Sequence, residues 1–417
     1  MPTTAATYTD VRKEVFDADT LNKMFYDGNP LLDKFEKVKR VVIGKRAHVP
    51  LHEQRAGATS VHDASGGTLN TASQEDVGVA LYNLAYTWFP ISLEFGALNE
   101  VTGGMTSVGE AAEHTISSAL NNSRNQVTRQ ILTGDGFIAQ CAAGGPATEV
   151  QLAAASAVLA GNVSGSDAVR SGWLVPGDVV DIGTTADTDT IVSSSLVTAV
   201  EDSLTTPSVT ISSSVTTTTS HFVSLRDAYG TAGTGPLVES TGLNEIAGTT
   251  GNTVGSINGA SVGHWNPAEV DSTSTVLDLD LLLRLSRRVK VRAGEDYSFC
   301  VTSHKQLDSV YALLQSQVRF TGDLVRAGES ESTKWRGMDI NAYPQVPENV
   351  FYFLTLKDLE MVFGAYDKPT WASDVEGSKR GAIWAAGTTR FDDAIVYATG
   401  LAARRRNSHA AAVNLNG

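Results

Sequence analysis

Between two runs rich in aromatic and β-branched residues, the sequence places a long polar stretch, "HEQRAGATSVHDASGGTLNTASQED", from His52 to Asp76. The run before it, "KVKRVVIGKRAHVPL", shifts towards a period of two, and the run after it, "VALYNLAYTWFPISLEF", also reads as strand. Two strands around so long an excursion make an extended hairpin. Its connection holds Gly57, Gly66 and Gly67 and almost no apolar residue, so it has nothing with which to bury itself in its own subunit. A connection of this length inside a compact domain is usually functional. The chain is therefore expected to lay it on a neighbour.

The next constraint is a helix. Val108, Ala112, Ile116, Leu120, Ser123, Val127 and Ile131 fall three to four apart and mark one helical face. Ser107-Val108-Gly109-Glu110 has the form of a capping box, so a helix is expected from Ser107 to Thr133, roughly 40 Å long at 1.5 Å per residue. Gly134 then falls where a left-handed C-terminal cap belongs. This decides the meaning of Gly134-Asp135-Gly136-Phe137-Ile138-Ala139, which matches the G-x-G-x-x-A dinucleotide fingerprint. That fingerprint needs a strand before its glycines and a helix after them. Here the glycines end a helix, and no cofactor is expected.

Upstream, residues 1–30 read as an arm with a short helix around Thr20 to Tyr26, stopped by Gly28 and Pro30. Downstream, "ATEVQLAAASAVLAG" reads as a second, alanine-rich helix. From Ser171 to Arg226 the character switches to Val, Thr and Ser, with four to six short strand candidates, as in an inserted β-barrel or small sandwich; the Thr-Ser runs leave a disordered linker as the other reading. After a glycine-rich stretch to about residue 270, "TSTVLDLDLLLRLSRR" reads as a helix ending in arginines and "DYSFCVT" as a buried strand. Ser303 caps a helix whose face is Leu307, Val310, Tyr311, Leu314 and Val318. The segments "NVFYFLTLKDLEMVFG" and "TTRFDDAIVYATG" are further strands, and "LAARRRNSHAAAVNLNG" reads as a solvated tail.

Composition narrows the function. A length of 417 residues suits two or three structural units. A net charge of −14 argues against a protein whose affinity comes from neutralising phosphates. The N-terminus has no apolar signal core and no window approaches a membrane span, so a cytoplasmic site of synthesis is expected. The two cysteines, Cys141 and Cys300, show no metal or disulfide spacing and read as buried thiols.

No motif carries chemistry. Gly259-Ala260-Ser261-Val262-Gly263 has the form of a hydrolase elbow, but "GTTGNTVGSIN" precedes it where a hydrophobic strand is needed, and Pro267 blocks a helix after it. It reads as a flexible glycine loop. His48 and His52 are separated by Pro50 and lack a zincin glutamate. Asp187 and Asp189 lack the rest of a calcium loop, and Gly44-Lys45-Arg46 lacks the rest of a P-loop. Catalytic, cofactor and metal residues are all expected to be none. Basic residues cluster at Lys34 to Arg46, at Arg284 to Arg292 and at Arg404 to Arg406. These read as solvated faces and helix-end charges, or as contacts to acidic neighbouring subunits or to nucleic acid.

Taken in order, the arm, the long polar hairpin, the capped long helix ending in "TGDG", the inserted β unit and the α+β tail resemble the major capsid proteins of tailed bacteriophages, whose fold herpesviruses share. The resemblance implies an α+β chain in six parts. These are an N-terminal arm and first peripheral strand (1–44), an extended loop (45–86), a peripheral domain with the spine helix (87–170), the inserted β domain (171–226), an axial domain (227–343), and peripheral return strands with a C-terminal tail (344–417). It also implies a structural, non-enzymatic protein of the virion, assembled in the host bacterial cytoplasm as hexamers and pentamers of itself. Candidate partners on this resemblance are a scaffolding protein, a portal, decoration proteins, and packaged DNA held non-specifically, with no membrane. Some members join a loop lysine to an asparagine of a neighbour. Here no lysine occurs between Lys45 and Lys290, so a shell without covalent cross-links is expected. The rival readings are a hydrolase-like enzyme and a phage tail or binding module.

Overall fold

The computed structural model describes residues 18–27, 30–43, 46–54, 76–94, 105–134, 137–153, 165–184, 191–203, 206–226, 240–271, 276–315, 332–335, 338–364, 369–371, 383–384 and 390–415. The tip of the polar hairpin, Asp135 and Gly136, Asp187 and Asp189, and most of the alanine run after Leu152 lie outside them.

Strands Arg46–Gln54 and Asp76–Asn83 pair antiparallel from Arg46 opposite Asn83 to Gln54 opposite Asp76, which is the expected hairpin. Val42–Ile43 adds a short third strand. Directly after the hairpin, Ala85–Glu94 runs antiparallel along Arg390–Thr399. Strand Arg390–Ala403 is the centre of a six-stranded sheet, also pairing with Leu359–Phe363, Thr370–Trp371 and Ile383–Trp384. Glu36–Lys39 closes one edge, parallel to Leu359–Phe363. The expected arm helix spans Ala18–Asp27, and Pro30 starts a second short helix, Pro30–Lys34, because proline fits the first turn. Phe25 packs its ring 5.0 Å from that of Tyr397, and the Tyr26 and Tyr397 hydroxyls are hydrogen-bonded.

The long helix spans Met105–Leu132, so its first turn precedes the expected Ser107 cap. Its expected face is correct where described, with Ile116, Leu120, Ser123, Val127 and Ile131 all buried. What periodicity missed is that the last turns are buried all round, Gln126, Thr128, Arg129 and Gln130 included. Gln126 donates to the carbonyl of the buried Trp173 at 2.6 Å, and Thr128 returns its hydroxyl to the Arg124 carbonyl at 2.7 Å. Gly134 adopts φ +73°. A Cβ there would collide with the backbone of Gly242, so the fingerprint-like glycine permits a crossing of two chain segments rather than cradling a phosphate.

The β insertion is larger than its composition suggested. Its sheet runs Phe137–Gln140, His221–Leu225, Val179–Thr184, Ile191–Glu201, Ser208–Thr217 and Gly144–Gln151. The first and last of these are joined by a bridge between Cys141 and Leu152 and by Ala153 N–H donating to Gln140 O at 2.9 Å. The sheet thus closes on itself around Val150, Val180, Ile182, Val197, Val209, Ile211 and Val223. The expected helix after Ala147 is, where described, a strand: it pairs with Ser208–Thr217, and that long-range ladder overrides alanine's helical preference. Two of the six strands therefore come from before residue 171. A fragment of residues 137–226 is expected to give a cooperative melt with a β-type circular dichroism spectrum, whereas 171–226 alone should not. A cooperative melt from the shorter fragment would contradict the closure.

The last sheet orders Glu269–Asp271, Ala410–Ala412, Phe351–Leu354, Phe299–Thr302, Met338–Ala342 and Ser332–Trp335. Helix Leu279–Ala293 packs Leu282, Leu285 and Val289 onto it, with Leu307 and Val310 of helix His304–Gln315 in the same core. This core is separate from the larger one that joins barrel, hairpin base and first sheet. Two expectations fail here. The leucine-rich helix is capped by Asp278 and runs on to Ala293, ending at the left-handed Gly294, so its arginines are mid-helix. The C-terminal segment is no solvated tail, because Ala410, Ala411 and Ala412 are fully buried between two strands.

Both cysteines are buried and free. Burial pushes the Cys141 thiol up to about 12 and the Cys300 thiol well above its ordinary value. Because the thiolate is the nucleophile, neither should react with a disulfide reagent at pH 8 until denaturant is added. Rapid release of one equivalent from native protein would refute this.

Candidate functional site

The hairpin has two unlike faces. Paired residues of an antiparallel ladder share a face, so Ala47 with Tyr82, Val49 with Ala80 and Leu51 with Gly78 form the inner one. Ala47, Val49, Leu51, Ala80 and Tyr82 are buried, and the Tyr82 hydroxyl donates to Ala403 O at 2.8 Å. The other face carries His48 opposite Leu81 and Pro50 opposite Val79, continued by Ile43 opposite Arg46. Here Ile43 is 64% and Val79 47% exposed. Val41 beside them and Trp88 on the following strand are also more than half exposed. These exposed apolar groups make the outer face of the hairpin a candidate contact surface.

The sequence motifs resolve without chemistry. His48 and His52 lie on the hairpin strand, and among the described residues no three His, Cys, Asp or Glu side chains are placed to hold a metal ion. Ser261 is exposed on a turn, followed only by the single 3-10 turn Gly263–Trp265. Its glycine loop is latched rather than flexible. Asn266 accepts from Gly251 N–H at 2.8 Å and donates to Gly259 O at 2.8 Å, while the buried Trp265 donates its indole N–H to Val254 O at 3.0 Å. Gly255 then offers its carbonyl to Leu81 N–H of the hairpin at 2.8 Å. No described helix is long and apolar enough to cross a membrane.

The basic clusters are mostly occupied within the chain. Lys37 pairs with Asp33 at 2.9 Å and sits over the Tyr26 ring. Arg284 binds Glu269 at 2.9 Å and Asp271, Arg288 binds Glu269 at 2.9 Å, and Lys290 binds Asp296 at 2.9 Å. Glu360, only 1% exposed, is gripped by Arg40 at 2.8 and 2.7 Å and by Arg404 at 3.0 and 2.8 Å. Arg405 reaches Ala293 O at 2.7 Å and Glu295 at 3.4 Å. Arg406 is fully buried and donates to the carbonyls of Ile246, Glu245 and Thr249 at 2.8 to 2.9 Å.

These arginines converge on a cleft of about 960 Å³ between the hairpin, the latched loop and the end of helix Leu279–Ala293. Arg40, Arg292, Arg404, Arg405 and Arg406 line it, with Glu295 and Asp358 as the acids and Pro50, Leu51 and Trp265 as apolar wall. Lys357, by hydrogen bond and charge, and then Arg405 hold Glu295 below the usual carboxylate range. Sequence reading assigned Arg404 to Arg406 to a tail. The available signal was that the triplet stands between "TGLAA" and "HAAAV", two runs of small and apolar residues.

No known family profile matches the sequence, and no curated protein matches it. Among solved structures the chain is similar to the capsid asymmetric unit of Cyanophage A-1(L), at 13% identity over 93% of both chains with a TM-score of 0.49. It is also similar to the capsid of the native GTA particle, at 8% identity over 93% of this chain and 90% of that one with a TM-score of 0.47. A third likeness, to the satellite phage P4 procapsid that includes the size determination (Sid) protein, has 8% identity over 99% and 96% with a TM-score of 0.45. Along nearly its whole length, then, the chain is similar to proteins of capsids and procapsids.

Proposed function

We propose that the chain is a major capsid protein that assembles with copies of itself, as hexamers and pentamers, into an icosahedral shell enclosing double-stranded phage DNA. One observation carries this reading: a hairpin whose inner face is buried in its own subunit and whose outer face leaves Ile43, Pro50 and Val79 exposed. A closed shell needs contacts spread along the chain and incomplete within one subunit. The sequential order of arm, hairpin, long helix, barrel and final sheet supports the same reading. In this scheme residues 45–86 lie over a neighbour and the long helix is the spine of a peripheral domain. The sheet holding Glu269–Asp271 and Phe299–Thr302 belongs to an axial domain, which takes Phe351–Leu354 and Ala410–Ala412 with it. The barrel, from residue 137, is an appendage of the peripheral domain.

The protein acts structurally rather than as an enzyme. Its partners are a scaffolding protein, a portal and, over the outer surface, decoration proteins. DNA is contained without specific contacts, since an acidic wall does not adhere to phosphates. Assembly takes place in the host cytoplasm and the product is the virion. The test is electron microscopy of the protein expressed alone and with its scaffold, which should show shells, tubes or polyheads. A monodisperse monomer under both conditions would favour the enzyme or binding-module reading. Purified shells boiled in detergent and reductant should run as one band near 44.1 kDa, because the hairpin has no lysine beyond Lys45.

A further inference from the structure

The arginine cleft is not needed for the hairpin's contact, and its charge is unexplained by it. In a chain of net charge −14, five arginines line one cavity against Glu295 and Asp358, with Glu360 behind the wall shared by Arg40 and Arg404. Both acids have their own basic neighbours, Lys357 and Arg405 for Glu295 and Arg405 for Asp358 at 4.0 Å. At the floor, three backbone carbonyls fix the plane of the Arg406 guanidinium through Nε and Nη2. Its Nη1, although buried, finds no hydrogen-bond partner in the protein. A charged donor in that position normally has an acceptor.

We propose that this cleft is an oxyanion site for a ligand of the phosphate class carrying two or more anionic groups, held by Arg40, Arg404 and Arg405, with the exposed Arg292 on its wall and the buried Arg406 behind them. Several features favour this class. Arg40 and Arg404 are held in place by Glu360, so their guanidinium groups are fixed before any ligand arrives, and preorganised donors bind oxyanions at least entropic cost. The cationic centres stand on separate segments of the wall and suit an anion with several charged oxygens. Pro50, Leu51 and Trp265 exclude water from one side and strengthen the attraction. Pro50 is shared with the outer face of the hairpin, but the arginines lie off that face, so the site is tested on the unassembled subunit and stands or falls apart from the capsid reading.

The experiment is a calorimetric titration of the full-length protein with pyrophosphate, with sodium chloride balancing the ionic strength. Saturable one-to-one binding is expected. Arg405→Lys, which keeps the charge and loses the fork of a 39% exposed lining residue, should weaken it about tenfold, the value of one charge-assisted hydrogen bond. Should that variant fold poorly, Arg292→Gln on the exposed wall is expected to weaken binding several-fold in an intact protein. Arg287→Gln, exposed on the same helix but outside the cleft, should leave it unchanged. A short DNA duplex that displaces pyrophosphate would identify the source as a phosphodiester backbone, and one that does not would identify a small free anion. Absence of saturable binding, or equal weakening by Arg287→Gln and Arg292→Gln, would overturn the proposal by showing only a diffuse surface field.

Discussion

Val79→Glu is expected to give a subunit that folds normally and does not assemble. Val79 is about half exposed on the outer face of the hairpin, so its replacement should change subunit stability by no more than ~0.5 kcal/mol. At the contact the effect is different. Burying an unpaired carboxylate in an apolar patch, between subunits that each carry a net charge of −14, removes the apolar gain and adds repulsion. A loss of about 2 kcal/mol per contact lowers each association constant about thirtyfold. A closed shell repeats that contact at every subunit, so assembly should vanish at concentrations where the parent assembles fully. Light scattering and electron microscopy report assembly, and a thermal melt reports folding. Shells at the parent's threshold concentration would mean that this face does not meet a neighbour.

The second large effect is on stability. Glu360→Gln should destabilise the subunit by about 2–4 kcal/mol, because it leaves two arginines facing an amide where a buried carboxylate stood. Arg40 and Arg404 are 22% and 39% exposed, so water recovers part of their solvation and the loss stays below that of a fully enclosed pair. The clamp ties residue 40 to residue 404 through one carboxylate, so the damage should appear in the first unfolding transition in denaturant. Combining Glu360→Gln with Arg40→Gln should cost less than the two changes added separately, since the pair shares one interaction. An unchanged midpoint for Glu360→Gln would show that the ion cluster contributes nothing.

The parts of the fold visible in sequence are those whose cause is local. The hairpin was legible because alternation and turn residues act over a few positions, and the long helix because Ile116, Leu120, Val127 and Ile131 keep a helical period. Gly134 was legible as a cap since only its own backbone conformation was at issue. The rest is decided by distant chain. Gly144–Gln151 has no strand-like pattern, and it becomes a strand because Ser208–Thr217 offers it a ladder. Ala410–Ala412 looks like tail because alanine is a poor strand former. In place it needs small side chains, lying between two strands under helix Leu279–Ala293. The cleft was hidden for the same reason: Arg40, Arg292 and Arg404 to Arg406 meet only after three segments far apart in sequence have packed.

The position of Ala410–Ala412 also fixes when this protein can fold. That strand sits inside its sheet, with Glu269–Asp271 on one side and Phe351–Leu354 on the other, so the sheet stays split until residues 410–412 have left the ribosome. The first sheet waits as well, because Glu36–Lys39 must hold off pairing until Leu359–Phe363 exists. The barrel, built from neighbouring stretches, can form earlier during synthesis. A chain cut short before residue 410 therefore carries a finished barrel on an unfinished body, and its unpaired strands make it a substrate for proteases.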